Sequence, residues 1–281
     1  SELSGLTVTP RMFRRMGGMW LMHLVHQVAA MQFAVESYCD LEQVTVPFDS
    51  WTHHSQFVKS ADYRRQVWTL AHHLRARSAG KDFAYVVTME PMAPMSKARR
   101  TFERITQTFR DPTTKVVISR PYLKQSKLDR LRAITQTSGF AYWDDLESVR
   151  LLQPVVDAKQ RNQLGSEAIT NDLESKLRSL IPHVIPVAYG EALRSLSTYF
   201  ASKYTRPKAL YSANGSQFHL PYQILSAVWG EQGTQILSHQ HGGHQGLDEL
   251  CAGESYEARA SDRHYTLGWT GDNRNTRALP A

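Results

Sequence analysis

Apolar positions in this chain follow a helical period at first and a strand-and-helix alternation later. From Thr9-Pro10, the residues Met12, Met16, Met19, Trp20, His23, Leu24, Gln27, Val28 and Met31 recur at helical spacing. Proline suits a first helical turn, so the pattern predicts a long helix running toward Ser37, with its methionine and tryptophan stripe turned to a core. Ser60 caps a second predicted helix through Arg77, with Tyr63, Val67, Leu70, Ala71 and Leu74 on one face.

From Asp82 the pattern changes. Phe83 to Thr88 reads as a strand ending at Glu90-Pro91, Ser96 to Phe109 as a helix, and Lys115 to Ser119 as a second strand. A helix over Ser126–Thr137 and a strand over Phe140–Trp143 follow, and Val149 to Leu164 reads as a connection with partial helix. Helices are predicted at Asn171–Leu180 and Ala188–Lys203, separated by Pro182 and Pro186. Ala209 to Asn214 reads as a strand with a turn at Gly215-Ser216, Gln217 to Gln232 as a helix with Pro221 in its first turn, and Thr234 to Ser238 as the next strand.

Strands alternating with helices of this length predict an α/β fold: a Rossmann-like, largely parallel sheet flanked by helices, with a helical N-terminal section. Residues 1–80 would form that section, packed on a sheet domain over 81–281. In open sheets of this kind, ligands bind outside the carboxyl ends of the strands. Two predicted loops meet there, Ser212–Ser216 and His239–Gly246.

The second loop, His239-Gln240-His241-Gly242-Gly243-His244-Gln245-Gly246, is the densest candidate chemistry. Five of the twelve histidines lie between His219 and His264. Histidine moves protons near neutral pH, and glycine lets a backbone approach a ligand closely. An extended backbone would put His239 and His241 on one side, with Gln240 opposite. Asn214 and Gly215 stand at the other loop, and Gln217 and His219 near a helix start suited to an anion. Glu254, Glu257 and Asp262 are spaced so that an acid could orient an imidazole or act as a base, while Arg259 and Arg263 could meet a phosphate or pair with those acids. The adjacent pairs His53-His54 and His72-His73 point apart on any regular element and make poor bidentate sites.

Composition narrows the partners. A formal net charge of +7 favours anionic ligands, from nucleotides and acidic glycans to an anionic membrane face. The basic residues fall in short clusters such as Arg64-Arg65 and Arg99-Arg100, with no stripe or aromatic pattern of a nucleic-acid binder, so nucleic acid is not an expected partner. Cys39 and Cys251 form no CxxC pair, which argues against a cysteine-ligated metal and fits a reducing compartment. Met16 to Val35 is long enough to span a bilayer, but His23, His26, Gln27 and Gln32 within it are costly in lipid, and a buried or interfacial helix is expected. No signal peptide opens the chain; a start at Ser1 and a stop at Pro280-Ala281 suggest a piece of a longer protein.

A metal reading competes with proton transfer. His239-x-His241-x-Gly243-His244 approaches the HxHxDH pattern of metallo-β-lactamase-like hydrolases, but Gly243 replaces the aspartate and only a short tail follows. Three imidazoles could still hold a zinc ion.

A resemblance of wider extent rests on ordered motifs. Ile185-Pro186-Val187-Ala188-Tyr189-Gly190-Glu191, Ala213-Asn214, Phe218 and Ala227-Val228-Trp229-Gly230-Glu231-Gln232-Gly233 lead into Gln240-His241-Gly242-Gly243. Gly246, Glu254, Glu257, Ser261-Asp262 and Leu267-Gly268-Trp269 then follow. This order resembles a family of bacterial surface-carbohydrate transferases of the kind found in lipopolysaccharide and O-antigen gene clusters. The likeness is dense from Pro182 to Trp269 and faint from Asp82 to Ser179, with a further echo around Met19-Trp20-Leu21 and Tyr38.

The resemblance implies a glycosyltransferase with two Rossmann-like halves (GT-B-like), of which this chain is the acceptor-side half without the C-terminal donor domain. It implies a nucleotide-sugar donor, a glycan or lipid-linked acceptor, no permanently bound cofactor and no metal. Residence would be cytoplasmic, with peripheral contact at the inner face of the bacterial inner membrane. His241 would be the general base, with Glu254 or Glu257 orienting it. Asn214, Gly215, His219, His239, Gln240, Gly242, Gly243, His244 and Asp262 would line the substrate. His244 stands where that family usually shows an aromatic. The alternatives are a metal-dependent hydrolase using His239, His241 and His244, and a non-catalytic scaffold of a polysaccharide assembly complex.

Overall fold

A computed structural model of the chain describes residues 7–37, 116–119, 126–127, 130, 140–143, 161, 173–248, 251–271 and 273–279. The helix expected at Ser60–Arg77, the strand at Phe83–Thr88, the helix at Ser96–Phe109, most of that at Ser126–Thr137, nearly all of the connection at Val149–Leu164 and the boundary expected near residue 80 lie outside them. The chain divides into two units whose segments interleave along the sequence. One comprises Ser1–Thr7, Trp20–Pro91 and Gln153–Arg194; the other comprises Val8–Met19, Met92–Leu152 and Ser195–Ala281.

Among the described residues, the second unit contains a parallel sheet of six strands: β1 (Val116–Ser119), β2 (Phe140–Trp143), β3 (Ala209–Ser212), β4 (Gln235–His239), β5 (Arg263–Thr266) and β6 (Thr276–Ala278). Their order across the sheet is β2-β1-β3-β4-β5-β6, and every neighbouring pair is parallel. The expected α/β, Rossmann-like architecture is therefore present. The order reverses between β1 and β3, whose carboxyl ends are Ser119 and Ser212, paired side by side. That reversal is the switch point at which open α/β sheets bind ligands.

The helices explain themselves locally. Helix α1 (Pro10–Ser37) begins at the predicted proline, and the Thr9 hydroxyl accepts the Met12 N–H at 3.1 Å as a cap. Its Met12, Met16, Met19, Trp20, Leu24 and Val28 are buried, as the helical stripe requires. No helix among the described residues is long and apolar enough to cross a membrane. Helix α2 (Leu173–Val184) runs through Pro182 rather than stopping before it, which corrects the expected break; it ends at Val184, ahead of Pro186 and a 3₁₀ turn at Val187–Tyr189. Helix α3 (Leu193–Lys203) therefore starts later than Ala188. In the first unit, the buried Arg161 guanidinium grips Glu191 with two bonds of 2.5 and 2.7 Å.

The helix expected over Gln217–Gln232 is two. Helix α4 (Gly215–Phe218) ends at His219, whose φ of −117° and ψ of 97° are extended, and α5 (Leu220–Glu231) starts there with Pro221 in its first turn. Proline at that position marks the true start, because its missing N–H would have gone unpaired in a first turn anyway. Helix α6 (Ala252–Ala260) then carries the chain from β4 to β5, and β5, β6 and α6 add to the elements the pattern predicted.

One buried cation ties the start of α1 to the sheet unit. Arg15 is 2% exposed and donates to the Ala260 carbonyl at 3.2 Å, the Ser226 carbonyl at 3.4 Å and the Asp262 carboxylate at 2.8 Å. Burial pulls its pKa down, and Asp262 opposes that shift. Asp262 also accepts from Arg11 at 2.5 Å and from the Ile236 N–H at 2.8 Å. A buried charge held this way is costly to unpair.

Candidate functional site

The chain leaves β4 at His239 and turns through Gln240–Asp248, and two glutamines fix the path of that turn. The Gln240 amide donates to the Gly242 and Gln245 carbonyls at 3.1 and 2.9 Å. Its oxygen accepts the Leu267 N–H at 3.0 Å and the Trp269 indole N–H at 2.7 Å. All four of its hydrogen-bonding sites are used. The Gln245 oxygen accepts the His241 and Gly242 N–H groups at 2.9 and 3.3 Å, which obliges its amide to point the other way. Gly246 has φ of +80°, and a Cβ there would come within 2.4 Å of the Trp269 ring, so only glycine closes the loop.

That other direction leads to Glu257. The Gln245 amide donates to Glu257 Oε2 at 3.1 Å, and the Gln217 amide on α4 donates to Oε1 at 2.7 Å. His241 Nε2 lies 3.0 Å from the same Oε1. Glu257 is fully buried, whereas the His241 side chain keeps 14% of its exposure. Burial pushes the Glu257 pKa up, and the hydrogen bonds from His241, Gln245 and Gln217 pull against it. Three N–H donors around one carboxyl group favour its anionic form. Against that carboxylate, His241 donates from Nε2, and Nδ1 then carries the lone pair that accepts a proton.

The two glutamates that the sequence left equivalent are thus separated. Glu257 faces into α6's buried side and meets His241. Glu254, one turn earlier and half-buried, accepts the Gly246 N–H at 2.6 Å and braces the loop. Asp262 sits before β5, at the amino ends of the strands, held by Arg11, Arg15 and Ile236; the fold does not bring it to His241. His219 is buried, with Nδ1 3.3 Å from the hydroxyl of Ser119 at the end of β1. Buried Asn214 caps α4 by position. Gly215 gives its N–H to Ser212 Oγ at 2.8 Å, and a Cβ there would meet that oxygen at 2.6 Å and the Tyr222 ring at 2.9 Å; its close approach is to protein groups.

The histidines do not converge. His239 Nδ1 lies 2.8 Å from the Tyr211 hydroxyl, the two rings stacked with centroids 5.3 Å apart and planes 7° apart. His241 turns to Glu257 on α6, so the shared side expected from an extended backbone is not kept beyond the strand end. His244 is exposed, its ring lying over Gly242, and Gly243 is exposed beside it. Among the described residues, no three His, Cys, Asp or Glu side chains are grouped as metal ligands, and the three-imidazole arrangement of the hydrolase reading does not form.

Two functional features had weak sequence signals. Gln217 and Gln245 are neutral amides with no diagnostic spacing, and only the fold shows both donating to one carboxylate. His264 is the other: fully buried on β5, its Nδ1 lies 2.8 Å from Ser238 Oγ, which in turn accepts from Ser261 Oγ at 2.7 Å. Burial, then His239 and His241, pulls its pKa down to about 4, so it stays neutral. Its position opposite Ser238 on a neighbouring strand is a pairing that the local pattern does not encode. A hollow lined by Val116, Arg206, Lys208 and Gln235 opens at the amino ends of the strands, away from His241.

No curated protein and no solved structure matches the chain. A family model does match, over residues 14–281, and on that span the chain belongs to the LIC12162 family of transferases.

Proposed function

We propose that this transferase moves a glycosyl group from a nucleotide-activated donor to a bacterial surface glycan or lipid-linked acceptor, with His241 as general base. The observation that carries the reading is the His241–Glu257 pair: a half-buried imidazole at a strand's carboxyl end, 3.0 Å from a fully buried carboxylate. The sugar assignment draws on the ordered motifs from Pro182 to Trp269, in which both residues stand.

The chemistry follows from the proton positions. His241 Nδ1 takes the proton of an acceptor hydroxyl as that oxygen attacks the anomeric carbon. The bond from that carbon to the phosphate oxygen breaks, and the nucleoside phosphate leaves with the electron pair. His241 becomes an imidazolium, whose charge Glu257 offsets at Nε2. Gln217 and Gln245 hold the carboxylate in place, so the ring needs no reorientation as charge develops.

The test pairs His241→Ala with the unaltered chain, against UDP-, GDP-, dTDP- and CMP-activated sugars with lipid-linked acceptors, reading released nucleotide and glycosylated product. General-base removal lowers turnover by about 10² to 10⁴-fold, with circular dichroism unchanged. Turnover within twofold of wild type in His241→Ala would remove the base assignment, whereas no turnover in the unaltered chain would favour a non-catalytic scaffold.

A further inference from the structure

The two imidazoles flanking Gln240 have different partners, and those partners admit opposite roles. His241 meets a carboxylate, an acceptor, so it must donate from Nε2. His239 meets a phenol. The Tyr211 hydroxyl lies 2.8 Å from His239 Nδ1, and that nitrogen is the acceptor on offer for its proton. A tyrosine donating to Nδ1 leaves the ring proton on Nε2.

Placement supports the distinction. Tyr211 pairs with Leu237 across β3 and β4, and Tyr265 pairs with His239 across β4 and β5. By alternation, Tyr211, His239 and Tyr265 share one face of the sheet at its carboxyl end, while Ser238 and His264 occupy the other. All three members of the first set are half-buried, in contrast to the fully buried His264. The stacked Tyr211 ring fixes the plane of the His239 ring as well as its proton. Burial pushes the Tyr211 hydroxyl up to about 12 and pulls His239 down, His241 adding to the latter, so both members of the pair are neutral near pH 7.

We infer that His239 is a fixed hydrogen-bond donor for the substrate: Tyr211 confines its proton to Nε2, and that N–H is held for an oxygen of the nucleotide sugar, on the diphosphate or on a sugar hydroxyl. Tyr211 is the positioning residue. The site would then contain one imidazole that accepts a proton and, two residues away, one that donates a hydrogen bond without changing charge. Its link to catalysis rests on the glycosyl-transfer reading; the tautomer itself does not.

The experiment uses the whole chain with ¹⁵N-labelled histidine, and His239 is assigned by its disappearance in His239→Leu. Long-range ¹H–¹⁵N spectra show an Nε2–H tautomer for His239, and Tyr211→Phe releases it to a mixture with Nδ1–H. An Nδ1–H ring in the wild type, or no change in Tyr211→Phe, overturns the inference. Titration then uses inorganic pyrophosphate and glucose separately. A shift of the His239 Nε2 resonance with the first assigns the contact to phosphate oxygens, and with the second to hydroxyls. His239→Leu weakens that binding about 10-fold, the loss of one hydrogen bond, and His239→Gln, which keeps an N–H, restores most of it. A His239 resonance that responds to neither ligand sinks the proposal. These outcomes separate from those of His241→Ala: an inactive His241→Ala with an unresponsive His239 ends this inference alone. An active one with a responsive His239 ends the base assignment alone.

Discussion

Exchanging the carboxylate of Glu257 with the amide of Gln245 separates what this cluster does for stability from what it does for catalysis. In Glu257→Gln, the new side chain can keep its oxygen at the Oε1 position, where Gln217 and His241 donate. Its NH₂ group then faces the Gln245 amide, which donated to Oε2 at 3.1 Å. Gln245 cannot rotate away from that clash without abandoning the His241 and Gly242 N–H groups on its oxygen. One buried donor is left against another, at a cost of about 1–3 kcal/mol. Gln245→Glu alone sets a second carboxylate against Glu257, and destabilises for the converse reason. The double variant Glu257→Gln/Gln245→Glu repairs both: the amide at 257 donates to the carboxylate at 245, whose other oxygen keeps the two backbone N–H groups.

Urea unfolding of the four proteins measures this as a coupling. The double variant should recover most of the loss, with an interaction energy of about 1–3 kcal/mol, within the range for residues in one hydrogen-bonded network. Turnover should not follow. With the carboxylate moved to 245, His241 Nε2 faces a neutral amide oxygen, and the imidazolium formed in the reaction lacks its counter-charge. Activity in the double variant should remain as low as in Glu257→Gln. Additive single effects would refute the directions assigned to the hydrogen bonds around Glu257. A double variant that regained activity along with stability would refute the view that charge at 257 assists His241.

Buried His264 makes stability depend on pH in a defined direction. Its folded pKa of about 4 lies below the ordinary 6.5, so the neutral ring's contribution is complete above pH 6.5 and is lost as pH falls toward 4. Unfolding free energies from urea titrations at pH 7.5 and 4.5 should differ by about 2–3 kcal/mol more in the wild type than in His264→Asn, and equal differences would rule the assignment out. Gly230 faces the buried Arg15: a Cβ there would lie 1.6 Å from its Nη1. Gly230→Ala should displace the guanidinium from Asp262 and the Ala260 carbonyl and cost about 3–5 kcal/mol in denaturant unfolding, as for a broken buried pair; a loss under 1 kcal/mol would show that Arg15 finds another route.

What the sequence disclosed, and what it withheld, follows from the range of the interactions concerned. Strands β3 and β4 and the start of α1 are all governed by neighbours in sequence, and the hydrophobic pattern carries them. Pro182 misled because a proline's effect depends on whether its surroundings tolerate the lost N–H. Pro221 carried the right signal, a first turn, but placed on a helix begun three residues too early. The site shows the same division more sharply. A glycine-flanked histidine at a strand end announces itself locally, and His241 is that residue. Its partner could not be chosen locally: Glu254 and Glu257 stand one helical turn apart, and a small rotation of α6 decides which enters the interior. The fold fixes that rotation through Tyr256, buried beside Glu257, whose hydroxyl donates to the Arg15 and Ser216 carbonyls at 3.1 Å each. Gly18 leaves room for that ring, since a Cβ there would come within 2.8 Å of it. The acid that serves His241 is therefore selected by the first helix of the chain, more than 200 residues earlier in the sequence. Any change that loosens α1 at Arg15 or Gly18 should consequently reach the His241–Glu257 distance before it unfolds the sheet.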